Sequence, residues 1–201
     1  MSAPADDHLQ PMVAEALLAL GERLEALDPS RWDEASLCEG WRVREVVAHL
    51  TMAARYGVPE FEAELRAAAF DFDVLSNRVA ERDGALPVER LLADLRSEVM
   101  QRWAPPGGGY AGALSHVVIH GADVTVPLGL GRAAPDDATR HVLDGLTRGG
   151  MHVGFGIALD GVELRADDLD WSFGAGRPVH ASAEDLVAAL AGRAVPALRL
   201  T

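Results

Sequence analysis

Ser36-Leu37-Cys38-Glu39-Gly40-Trp41-Arg42-Val43-Arg44-Glu45-Val46-Val47-Ala48-His49-Leu50 decides more of the fold than any other stretch of the 201-residue chain. Ser36, Cys38 and Gly40 read as a loop. From about Val43 the pattern turns helical: Val43, Val46, Val47, Leu50 and Ala54 recur at the three–four spacing of one apolar stripe, which predicts a helix to about Tyr56. His49 lies at the edge of that stripe, where side chains of facing helices meet in a bundle core.

Upstream, Leu9, Met12, Val13, Ala16, Leu17, Leu20, Leu24 and Leu27 predict a helix over 9–27, stopped by Asp28-Pro29. Downstream, Pro59 suits the first turn of an Ala-rich helix with Phe61, Leu65 and Ala68; residues 70–80 either continue it or start a separate piece. Pro87 opens the next helix, with Val88, Leu91, Leu92, Leu95 and Val99 as its stripe and Trp103 near its end. Pro105-Pro106-Gly107-Gly108-Gly109 is a turn between helices and lacks the Lys-Ser/Thr ending of a phosphate loop. Another helix spans Ala111 to about Val126, closed by Pro127.

After Gly131 the texture changes. Pro135 to Arg148 is helical, with Asp136 and Asp137 where the macrodipole favours them, and Gly149-Gly150 ends it. Val162 and Leu164, then Leu169, Trp171 and Phe173, then Val179 mark short strands, with turns at Asp160-Gly161 and over 174–176. Ser182 to Asp185 resembles a capping box ahead of Leu186, Val187 and Leu190. The expected fold class is α+β, mainly α. Residues 1–130 form a helical bundle and residues 131–201 a small C-terminal α/β domain.

Composition excludes several functions. Thirty-one Asp and Glu stand against 18 basic residues, all Arg, for a net charge of −13. Such a surface repels nucleic-acid phosphates and anionic membranes. The lone cysteine, Cys38, makes no internal disulfide, which points to a reducing, cytoplasmic setting. Met1 to Leu9 has Asp6 and Asp7 and no apolar core, so it does not read as a signal peptide. The most apolar stretch, Tyr110 to Leu130, is interrupted by His116, His120, Asp123 and Pro127, which argues against a membrane span. Oligomeric state is open between monomer and homodimer.

His116 and His120 sit four apart and therefore on one helix face, about 5–6 Å apart at Cβ. Two imidazoles so placed can converge on one ion, and His49 would complete a three-His site with an open fourth position. Asp123 falls on the same face and can orient a ligand or contact substrate. Arg193 can face a substrate carboxylate or simply stabilise a helix end. Cys38 can be a competing thiol, a ligand or a structural residue, Trp41 reads as a packing anchor rather than a substrate stack, and His8, His141, His152 and His180 read as surface or packing residues.

The opening block resembles the mycothiol-dependent maleylpyruvate isomerase N-terminal family, of the DinB-like metal-binding four-helix bundles. His120-Gly121-Ala122-Asp123-Val124 with Leu128-Gly129 resembles that family's second metal helix. Leu169-Asp170-Trp171, Gly174-Ala175-Gly176-Arg177-Pro178-Val179 and the run from Asp185-Leu186 to Gly192-Arg193 resemble its C-terminal segment. The resemblance implies a DinB-like bundle with His49 and His120 as metal ligands, a divalent metal (zinc first, nickel or iron as alternatives) and mycothiol as the thiol. His116 stands where the isomerase has Glu; other DinB-like proteins use three His. The implied activity is isomerisation or S-transfer on a small electrophile, with Asp123 and Arg193 as candidate catalytic residues. The alternatives are a metal-dependent hydrolase of the same fold and a non-catalytic, metal-stabilised binding protein.

Overall fold

The computed structural model describes residues 6–195 and Leu198; residues 1–5, part of the N-terminal segment read above, and the remaining C-terminal residues lie outside the described residues. The mainly helical, α+β fold class is as expected. Helix α1 (Gln10–Glu25) buries Val13, Ala16, Leu17, Leu20 and Leu24 on one stripe. Helix α2 (Val43–Leu50) is buried almost all round. The segment after it forms two pieces, α3 (Val58–Ala67) and α4 (Phe72–Gly84), which resolves the choice left open over 70–80. Helices α5 (Val88–Leu95) and α6 (Glu98–Arg102) follow, then the long α7 (Gly109–Leu128). Helix α1 packs on α5, α6 and α7, while α2 packs on α4, α5 and α7.

Helices α8 (Asp136–Thr147), α9 (Met151–Gly154) and α10 (Ala183–Leu190) complete the helical set. Strands β1 (Val162–Ala166), β2 (Ser172–Gly174) and β3 (Arg177–Ala181) form a sheet of order β2-β1-β3. Strand β1 runs antiparallel to β2 and parallel to β3, and Leu164 is in register with both Phe173 and Val179. Gly176 sits at φ 131° where a Cβ would meet the Gly161 carbonyl at 2.2 Å, so the β2–β3 turn requires glycine there. Ser182 accepts from the Asp185 N–H as the capping pattern predicts. Helices α8 and α10 pack on α7 and on each other, and one apolar core runs from Leu9 through Leu186 and Leu190.

Three expectations are corrected. The helix from Pro87 is two helices. Ser97 accepts from the Met100 N–H (3.3 Å) and starts a new cap. The break shifts the phase, so Met100 is buried and Val99 is 55% exposed. Helix α2 stops at Leu50, not Tyr56, because Thr51 Oγ1 bonds back to the Val47 carbonyl (2.7 Å) and the Arg55 guanidinium caps the Ala48 carbonyl. Finally, Pro127 lies inside α7, whose end is a left-handed Gly129.

Arg55 ties three elements together. Its Nε donates to Asp83 of α4 and its Nη1 to Asp94 of α5, both at 2.9 Å, and all three side chains are 8% exposed. Removing the guanidinium takes one partner from each of two buried carboxylates, which keep Arg82 and Tyr56 on Asp83 and Arg90 on Asp94. Arg55→Ala is expected to lower unfolding stability by about 1–3 kcal/mol in a urea titration.

Glu184 of α10 is buried against Thr125 of α7. The Thr125 hydroxyl has one proton and two acceptors in reach, the Glu184 carboxyl and the Gly121 carbonyl (2.8 Å). Burial pushes the Glu184 carboxyl up to about 7, with the hydrogen bond from Thr125 and then the Arg132 charge partly offsetting it. A raised folded value means that this contribution is complete below the unfolded value of 4.5 and is lost as pH rises through about 7. Relative to Glu184→Gln, the native chain should lose up to about 3 kcal/mol between pH 4.5 and pH 8, read from paired denaturation curves.

Candidate metal centre

The three predicted imidazoles come together. His49 projects from the last turn of α2, and His116 and His120 from consecutive turns of α7. Their donor nitrogens all lie within 4.8 Å of one another. His49 is 6% exposed, whereas His116 and His120 keep partial access. The three rings stand at 73–90° to one another with centroids 4.8–5.2 Å apart. His116 Nε2 and His49 Nε2 are 3.2 Å apart. Two ligands at ~2.0–2.1 Å from one tetrahedral ion would stand about 3.3 Å apart, so this pair already has ligand spacing. Burial holds His49 down to about 3 and His116 well below the ordinary histidine range, with His120 adding in the same direction. At neutral pH both rings are neutral and carry free lone pairs. The donor set fits a divalent transition ion.

Asp123 fixes the third imidazole. It is fully buried and its Oδ2 lies 2.8 Å from His120 Nδ1. Burial alone would raise this carboxyl; hydrogen bonds from His120 and Arg193 outweigh it and hold it down to about 2. An ionised carboxylate only accepts, so His120 Nδ1 carries the proton and its Nε2 is left free for a metal.

Arg193, just past α10, does not stand free at a helix end. Its Nε donates to Asp123 Oδ1 (2.7 Å) and its Nη2 to Oδ2 (3.0 Å), a bidentate pair that ties the C-terminal segment to the imidazole cluster.

Cys38 also meets Asp123, donating from Sγ to Oδ2 at 3.0 Å, with His120 Nδ1 3.9 Å away. Burial and the Asp123 charge push the thiol up to about 12, so it stays protonated. Cys38, His120 and Asp123 form a second close group. A cation there would face the Arg193 guanidinium and a protonated thiol, so the three-His group is the better site.

Pro127 explains how Cys38 arrives. A proline has no N–H for the carbonyl four residues earlier, which here is Asp123. That carbonyl accepts instead from the Leu37 N–H (2.9 Å) and docks the Ser36–Trp41 loop on α7. Gly40, at φ 78°, supplies the left-handed residue that closes this loop. The spacing of Asp123 and Pro127 was the available signal for this contact. Sequence reasoning also missed Trp103 beside His116 and Phe72 beside His49. Trp41 packs against His49 and donates to Asn77 (2.8 Å). The other histidines lie apart: His8 and His141 are exposed, His152 bonds the Leu146 carbonyl, and His180 bonds Asp167.

The class this defines is a helical bundle with an imidazole cluster between two of its helices, followed by a small α/β segment. Residues 13–105 match the family described as "Mycothiol maleylpyruvate isomerase N-terminal domain". The matched segment includes His49 but not His116, His120 or Arg193. A solved mycothiol-dependent maleylpyruvate isomerase is similar over 98% of this chain and 94% of its own, at 19% identity and TM-score 0.50. A mutant of a mycothiol-dependent maleylpyruvate isomerase is similar over 96% and 93%, at 18% identity and TM-score 0.46. No curated protein matches the chain. Among the described residues, no helix is long and apolar enough to cross a membrane.

Asp123→Asn keeps the shape but removes the charge that holds the His120 tautomer. It should weaken metal affinity by about 10–100-fold while the protein remains folded, as measured by competition with a chromogenic chelator.

Proposed function

We propose that this protein is a metal-dependent enzyme that uses mycothiol to attack a small electrophile, as an isomerase or an S-transferase. The observation that carries the reading is the convergence of His49, His116 and His120, with two Nε2 atoms 3.2 Å apart. A divalent ion held there by His49, His116 and His120 would supply Lewis-acid charge that lowers the pKa of a thiol bound beside it. The family match supports the choice of mycothiol as that thiol.

The chain's own residues supply ligation and position. The two depressed imidazoles offer lone pairs without first having to lose protons. Asp123 sets the tautomer of His120, and Arg193 fixes Asp123 in turn, so both act as positioning residues. Cys38 remains a thiol and bonds Asp123, on the Nδ1 side of His120, so it does not compete for the open position. For isomerisation, mycothiol would supply a thiolate able to add reversibly to a conjugated cis double bond, so that the bond could return as trans with no net oxidation. In transfer a C–S bond forms as the bond to the leaving group breaks, and the leaving group departs with the electron pair.

Protein purified without chelator should hold about one zinc, nickel or iron ion per chain, by elemental analysis. His49→Ala, His116→Ala and His120→Ala should each reduce this to below about a tenth. Turnover should require both metal and mycothiol. Metal-dependent turnover indifferent to thiol would reassign the centre to hydrolysis. A melting temperature that falls on chelation, with no turnover of any electrophile, would make it a metal-stabilised binding protein.

A further inference from the structure

His49 and His120 are held in place by different means. His120 has Asp123 on its Nδ1, and Asp123 has Arg193. His49 has no such partner. Its Nδ1 is buried and makes no hydrogen bond among the described residues. Its Nε2 faces His116 Nε2, another candidate ligand. The torsion that turns an imidazole about its Cβ has broad minima. A histidine ring with no hydrogen bond to orient it is therefore turned by whatever it packs against.

Besides the other two imidazoles, the His49 ring meets Trp41 and Phe72. Trp41 is the nearer, with centroids 5.0 Å apart and planes tilted by 49°. Phe72 stands 6.4 Å away, edge to face, and is 51% exposed. Trp41 is fixed at both ends. Its carbonyl accepts from the Ser36 N–H (3.0 Å) and hydroxyl (2.8 Å), and its own N–H donates to the Cys38 carbonyl (3.0 Å). Its indole Nε1 donates to Asn77 Oδ1 at 2.8 Å, which holds the indole in one rotamer. Asn77 lies on α4, which packs along α2 and is tied to the segment after α2 by the Arg55–Asp83 pair. Asn77 itself is exposed.

We propose that Trp41 and Asn77 are positioning residues for His49: Asn77 fixes the indole, and the indole fixes the plane of the imidazole. They do for the candidate ligand on α2 what Arg193 and Asp123 do for His120 on α7. The inference rests on the three-His metal reading above. It gives α4 a part in a centre whose candidate ligands all come from α2 and α7. Without the indole the His49 ring is free to turn, and its lone pair points at the ion for less of the time.

Zinc and cobalt affinities of the full chain are read by competition with a chromogenic chelator. Trp41→Leu should weaken both about tenfold and Asn77→Ala about threefold. Asn77→Asp keeps an oxygen acceptor for the indole and should recover the affinity lost in Asn77→Ala. Trp41→Phe keeps a ring but has no N–H. Adding Asn77→Ala to it should cost nothing further, whereas independent contacts would add. Because Asn77 is exposed, its variants keep the fold, so the test stands even where Trp41→Leu is destabilised.

The cobalt-loaded protein reports the geometry directly. Partial loss of His49 from the ion should weaken the visible absorption of a four-coordinate centre in Trp41→Leu and, to a smaller extent, in Asn77→Ala. A merely structural role would lower the melting temperature of these variants and leave affinity and absorption at native values. That result, or additive losses in the double variant, overturns the proposal and leaves the three-His centre standing. A native chain that binds neither zinc nor cobalt overturns the three-His reading, and this proposal with it.

Discussion

The arrangement around Asp123 depends on one residue serving two chains of contact. Its carboxylate accepts from His120, Cys38 and Arg193, while its carbonyl, released by Pro127, accepts from Leu37. The buried carboxylate is acceptable because the guanidinium neutralises it and two further bonds, from His120 and Cys38, satisfy its oxygens. Through those bonds, three remote segments are held in one place: the loop before α2, the helix α7 and the end of α10. The tautomer of His120 and the seating of the C-terminal segment are therefore aspects of the same ion pair. Replacing Asp123 by an apolar residue would leave Arg193 half-buried and uncompensated.

The parts legible in the sequence are those governed by local period. His116 and His120 share a face because they are one turn apart, and His49 was placed by its position on the α2 stripe. The small sheet and the α10 cap followed from alternation and from Ser182. What failed to show is set by partners distant in sequence. The end of α2 depends on Arg55, whose carboxylates come from α4 and α5. The break before α6 depends on whether Ser97 or the helix claims the Met100 N–H, and the apolar spacing of Val99 gave no indication of the answer. The partner of Arg193 lies 70 residues away. No period encodes such a contact.

The C-terminal segment is more than an appendage to the bundle. Leu186, Val187 and Leu190 share their apolar core with α1 and α7. The same helix carries Glu184 to Thr125, one turn beyond Gly121 on the metal-candidate helix. Helix α10 thus reaches α7 twice, by the Glu184 carboxyl at its start and through Arg193 just past its end. The first contact is sensitive to pH near neutrality and the second is not, because Asp123 stays ionised down to about 2.

The abundance of acid is what makes arginine local in this chain. Arg31, Arg42, Arg44, Arg55, Arg78, Arg82, Arg96, Arg148 and Arg193 are each engaged by at least one carboxylate. With 31 acids against 18 arginines and no lysine, guanidinium groups are absorbed into pairs before they can build a positive field. His49 and His116 escape this because burial keeps their rings neutral, so no carboxylate is drawn to them by charge. A histidine at position 116 therefore bears on the charge of the cluster as well as on its candidate ligand set. A carboxylate there would bring a negative charge to the open side of the cluster and invite a basic partner. An imidazole does neither, and an aromatic ring, Trp103, is what packs against it.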